Sequence, residues 1–191
     1  TLTMHDKNTG RTFTGLGYFR DTAEIGNPWE HQVTPDETVY TTLNEKADVM
    51  LIRDGALEAS FRVVIDWALP EGRAADERSR SADLKPYRIV NLVTLRRGQP
   101  WVDVVTEINN VVEDHYLQTC FPTRLEADKV MVQGQFDVIE RPIAEPDYSR
   151  YDETPMTEHP MNSFIDISDG QAGLAFLNEG VTIVIQDERA E

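Results

Sequence analysis

A single cysteine, Cys120, stands among 191 residues, so no internal disulfide can form. The four histidines are His5, His31, His115 and His159. No two of them share a His-x-x-x-His spacing and no Cys-x-x-Cys pair exists, so the chain has no local zinc motif. His115 reads as a surface residue of a strand or turn. Cys120 has no base beside it in sequence and reads as a structural thiol. A Gly-x-Ser-x-Gly elbow is missing. Gly15-Leu16-Gly17 lacks the third glycine and the helix of a dinucleotide fingerprint. No stretch reaches the roughly 18 apolar residues of a spanning helix, and no secretory leader is recognisable; a cytoplasmic location is expected.

Positive charge is also scarce. Lys and Arg total 18 against 34 Asp and Glu, a formal net charge of −16. A field of that sign repels phosphate backbones and anionic lipid, which argues against nucleic acid and membrane surfaces as partners. Surplus carboxylate does not reveal a glycosidase either. Such enzymes need two carboxylates at a set distance in space, and 34 candidates make any pair easy to nominate. Asp103 and Glu107 share one strand face, as solvated acidic residues commonly do.

What the sequence has in quantity is two-residue alternation. From Leu57 to Trp67 every odd residue is apolar: Leu57, Ala59, Phe61, Val63, Ile65 and Trp67. A strand puts such a set on one face, whereas a helix would scatter it. Strands are also predicted over Leu2–His5, Thr12–Phe19, Val39–Leu43, Val49–Ile52, Tyr87–Arg97, Trp101–Val111, Glu113–Phe121, Val130–Val138, Phe164–Ile167, Gly173–Leu177 and Val181–Ile185. Turns are predicted at Lys7-Asn8-Thr9-Gly10, Arg97-Gly98-Gln99-Pro100, Ser168-Asp169-Gly170 and Asn178-Glu179-Gly180. No helix of useful length is predicted, and Ala74–Leu84 reads as a loop. Ten or eleven locally connected strands imply an all-β fold, a large antiparallel β-sandwich of two packed sheets in a single domain. Asp21–Asp36 and Ile143–Pro160 are the long irregular segments, where binding groups concentrate. In the first, Trp29 beside Glu30 and His31 suits a sugar: an aromatic face to stack on a ring and a carboxylate for its hydroxyls. The plainer alternative is a Trp that anchors its own loop. The chain opens on strand-like sequence and ends just after another, so both ends read as cuts from a larger protein.

Several strings, taken in order, resemble the C-terminal β-region of glycoside hydrolase family 38, the α-mannosidases. They are Asp6-Lys7-Asn8-Thr9-Gly10-Arg11, the acidic loop Asp21-Thr22-Ala23-Glu24-Ile25-Gly26-Asn27-Pro28-Trp29, and Trp101-Val102-Asp103. Glu107-Ile108-Asn109-Asn110, Asp114-His115, Phe121-Pro122-Thr123 and Glu140-Arg141-Pro142 follow. The late part carries His159 to Gly170, Gly173-Leu174-Ala175 and Leu177-Asn178-Glu179-Gly180. The acidic loop departs from the commoner pattern, with Pro28-Trp29 where many members have an acidic residue and Tyr.

The resemblance implies a galactose-mutarotase-like β-supersandwich. It also implies a parent that hydrolyses α-mannosidic bonds with retention, through zinc ligands and a carboxylate nucleophile in an N-terminal domain. This chain is then expected to hold no metal or cofactor and no catalytic residue. Its partners would be its own N-terminal catalytic domain and an α-mannoside, with oligomerisation left open. Arg141 is the residue the resemblance brings near the sugar, with Trp29 and Glu30 as further substrate-binding candidates. The alternative is a free-standing carbohydrate-binding β-sandwich without catalysis. For Arg141 the plainer alternative is a surface arginine paired with Glu140 or Glu145.

Overall fold

The computed structural model describes residues 1–26, 31–144, 147, 149–150, 158–180 and 183–185. Among these residues there is no helix, and every paired strand is antiparallel. The strands are β1 (Leu2–His5), β2 (Thr12–Leu16), β3 (Tyr18–Ala23), β4 (Tyr40–Thr41), β5 (Ala47–Asp54), β6 (Glu58–Pro70), β7 (Leu84–Arg96) and β8 (Val102–Ile108). They continue with β9 (His115–Cys120), β10 (Lys129–Gln133), β11 (Val138–Pro142), β12 (Glu158–Pro160), β13 (Phe164–Ser168), β14 (Gly173–Leu177) and β15 (Ile183–Ile185). The all-β, sandwich-type class expected from alternation is what the chain adopts. The strands form five hydrogen-bonded sheets where two were expected, because glycines and turns break long runs. Thr12–Phe19, read as one strand, is interrupted at Gly17, whose φ is +68°; L-residues with a Cβ rarely enter that region.

Two compact units make up the chain: Gly17–Cys120, and Thr1–Leu16 together with Phe121–Glu191. In the first, the four-stranded sheet β5-β6-β7-β8 lies against the three-stranded sheet β4-β3-β9. Alternation in β6 puts Ile65, Trp67 and Leu69 on the same side. Tyr87 and Ile89 on β7 stand opposite Trp67 and Ile65. These five pack with Phe19 of β3 and with Val112, and partly buried Tyr40, Ala47 and Leu117 complete the core. Leu69 and Ile89 are fully buried. Burying a side chain of that size contributes about 1.5–3 kcal/mol relative to leaving it in water. The T-shaped contact between Trp67 and Tyr87, with ring centroids 6.4 Å apart, adds a directional preference.

In the second unit, β1 and β2 form the expected hairpin around Gly10, with Gly10 N–H donating to Asp6 O at 2.8 Å. The sheet β11-β10-β13-β14 carries a core of Val130, Val132, Met161 and Ile165. The structure corrects one reading here. Val130–Val138 is not one strand but the start of a hairpin, with Gln133 opposite Val138 and Gly134 N–H donating to Asp137 O at 2.8 Å. Phe136 sits on the hairpin tip fully exposed. The apolar-polar beat runs unbroken through Gly134 because a tight turn keeps the same count. β12, inside a segment read as irregular, pairs with β15.

Candidate functional site

Arg141 lies on β11 directly opposite Val130 on β10, which in turn faces Ile167 on β13. Residues directly opposite one another share a sheet face, and Val130 is only 4% exposed. The arginine therefore projects from the core side of its sheet. Of the two surface partners proposed from sequence, Glu140 pairs with Lys129 at 2.9 Å, and Glu145 lies outside the described residues. Its Nη1–H instead donates to His159 Nδ1 at 3.2 Å, and its Nε is buried without a hydrogen-bond partner among the described residues. Burial, and then the neighbouring guanidinium, push the His159 pKa below its ordinary value. A neutral imidazole can accept that bond on Nδ1 only with its own proton on Nε2. Trp29 and Glu30, the other two candidates, lie outside the described residues.

The stem of their loop is described. Glu24 takes His31 Nδ1–H on Oε2 at 2.7 Å and Gly26 N–H on Oε1 at 2.7 Å. Ile25 N–H reaches Gln32 O at 2.9 Å, and the His31 ring lies 4.5 Å from that of Tyr116. Behind the stem, Glu37 accepts from Ala23 N–H at 3.0 Å and from the Thr34 hydroxyl at 2.8 Å. The neck of the loop is thus closed by two carboxylates that bind backbone and side chain together.

A second polar cluster was not foreseen. Asp21, at 0% exposure, accepts from Arg80 Nη1–H and from His115 Nδ1–H, each at 2.5 Å. The Arg80 guanidinium stacks 5.2 Å from the Tyr40 ring centroid, which suits a cation over a π-face. Its Nε and Nη2 have no hydrogen-bond partner among the described residues. Burial, and then the Asp21 charge, raise the Tyr87 phenol pKa to about 12. His115 is accordingly not a surface residue: its side chain is 6% exposed, with Nε2 lying 3.0 Å from Asn110 Oδ1. Asp21 and His115 meet because β3 and β9 pair with Asp21 opposite Leu117 and Ala23 opposite His115, a diagonal neighbour on one face. Arg80 comes from a loop without periodicity, so nothing in its sequence context marked it.

Among the described residues no three His, Cys, Asp or Glu side chains converge as metal ligands, so these residues do not fit a zinc site. No described helix is long and apolar enough to cross a membrane. Asp103 is tied to Arg96 across the sheet.

The described residues define an antiparallel all-β domain, and comparison defines its family. Residues 1–182 match the glycosyl hydrolases family 38 C-terminal domain, and the chain belongs to that family. An α-mannosidase from Enterococcus faecalis V583 superposes with a TM-score of 0.87 at 28% identity, over 95% of this chain and 22% of that one. A family 38 glycosyl hydrolase from Enterococcus faecalis gives 0.86 at 25% identity, over 96% and 22%. A putative mannosylglycerate hydrolase from Halalkalibacterium halodurans is 24% identical over 92% of this chain and 21% of its own length. The chain thus spans about a fifth of the length of the relatives it matches, and corresponds to a C-terminal domain of larger mannosidase-like proteins.

Proposed function

We propose that this chain is the C-terminal β-domain of a longer retaining α-mannosidase-like glycoside hydrolase, where it braces an N-terminal catalytic domain and lends Arg141 to the substrate pocket. Zinc and the nucleophile would belong to that other domain, so no chemical step is assigned to residues of this one. The observation that carries the reading is the state of Arg141. It is held by His159 on one nitrogen while a second, Nε, is buried without a described partner. An arginine kept only for solubility would turn its head into water. A guanidinium offers five donors in a fixed fork and keeps its charge, which fits vicinal hydroxyls or a carboxylate. The names of the relatives span both chemistries: a mannoside, and a mannosylglycerate whose aglycone carries a carboxylate.

The test is Arg141→Ala in the longer enzyme. A pocket role predicts a fall in kcat/KM of at least about tenfold, or about 1.4 kcal/mol of transition-state binding, with the melting temperature little changed. Unchanged kinetics, or a loss explained by unfolding, would return Arg141 to a structural role. A free-standing carbohydrate-binding module would show sugar binding and no hydrolysis by the whole gene product.

A further inference from the structure

The sheet β5-β6-β7-β8 has an apolar face longer than its core. Strand register stacks whole rows across it. Leu51, Phe61, Val93 and Val104 form one row over the four strands. On the core side of it the row is Val49, Val63, Asn91 and Thr106, and on the far side it is Asp54, Ala59, Leu95 and Val102. This is the side that, further along β6 and β7, buries Ile65, Trp67 and Ile89. Yet Val49 is 64% exposed, Leu51 50%, Phe61 41%, Leu95 55% and Val104 45%. The opposite side carries most of the charges: Arg53 and Arg96 on Glu58, Arg96 on Asp103, and Arg88 on Asp66. It is mixed, with Met50, Leu92 and Val105 in one row beside Arg62, while the side that holds the core is only partly covered in the described structure. The open part runs across four strands, roughly 14 Å at the usual strand spacing. Contiguous apolar surface of this kind marks an interaction site.

We infer that the open half of this face docks onto an apolar surface of the remaining polypeptide of a longer chain. About four-fifths of each relative's length lies outside the matched region, since this chain covers 21–22% of them, so an occupant of sufficient size belongs to the same molecule. A second copy of this chain is the poorer occupant, because each copy has a formal net charge of −16 and like fields oppose association. The open face also continues the existing core without a charged side chain between them, so docking extends one core rather than building another.

This inference rests on the chain being part of a longer enzyme, and its test needs no substrate. Val104 and Val105 are neighbours on β8 that face opposite sides and are comparably exposed, at 45% and 57%. Val104→Cys and Val105→Cys are made separately in the longer polypeptide and labelled with N-ethylmaleimide, with rates resolved by peptide mass. Docking predicts that Val104→Cys reacts at least about tenfold more slowly than Val105→Cys in the native enzyme, and equally fast in urea. Comparable native rates would overturn the inference. So would protection of Val104→Cys that disappears on dilution to a monomer, which would assign the face to a second copy. Protection in a polypeptide that cleaves no α-mannoside would sink the functional reading and leave the docking face standing. Comparable rates in an active enzyme would do the reverse.

Discussion

Asp21 and Arg80, 59 positions apart in sequence, form a salt bridge with 0% and 2% side-chain exposure. Two charges out of water hold only while both are present. Asp21→Asn keeps the shape of the side chain but leaves Arg80 uncompensated. We expect a loss of about 3–5 kcal/mol in urea denaturation, as for other broken buried pairs. The double variant with Arg80→Met should lose clearly less than the sum of the two single changes, because the unpaired charge is gone. Additive losses would show that the two residues do not act as a pair.

Tyr87 reports on the same cluster. Its phenol is raised to about 12 from an ordinary value of about 10. The fold favours the neutral phenol, so its stabilising contribution is complete below about pH 10 and is lost as pH rises toward 12. Tyr87 should therefore ionise late, together with alkaline unfolding, as followed by ultraviolet phenolate absorbance. Tyr87→Phe should remove that late step. A late step that survives the substitution would assign it to another tyrosine.

His159 has the opposite sign. Burial and Arg141 hold its pKa below the ordinary value, so the unfolded chain takes up a proton before the folded one does. Its contribution is whole above about pH 6.5 and declines as pH falls below that value. Urea midpoints measured from about pH 7 to about pH 5 should fall less steeply in His159→Gln than in the unmodified chain. Equal slopes would remove His159 from the acid sensitivity.

Packing gives a plain contrast. Ile89→Ala, at 0% exposure, should cost about 2–5 kcal/mol. Phe136→Asp, at 100% exposure, should stay within about 0.5 kcal/mol of the unmodified chain. A large loss at Phe136 would mean the hairpin tip packs on something.

The elements that alternation fixes were legible. Leu57 to Trp67 lies almost wholly within β6 (Glu58–Pro70), because a face that must be buried imposes its period on every second residue. Alternation says nothing of where a chain turns back, so Val130–Val138 looked continuous when Gly134 and Asp137 close a hairpin. β12 was missed because its pairing partner, β15, is distant in sequence and Pro160 ends it. Arg141 was named from family resemblance; its inward aim follows from pairing with Val130, which no local pattern encodes. The Asp21–Arg80–His115 cluster joins two strands and a loop, and its members look in sequence like ordinary surface charges.

We propose that this chain completes a longer α-mannoside hydrolase and does not hydrolyse the bond by itself. The most direct test assays the longer gene product and the 191-residue chain side by side on an aryl α-mannoside with added zinc, with product configuration read by proton NMR. The account predicts α-configured product from the longer protein, activity lost on chelation, and nothing above blank from the chain alone. Chelator-sensitive turnover by the chain alone, or no turnover by the longer protein, would contradict it.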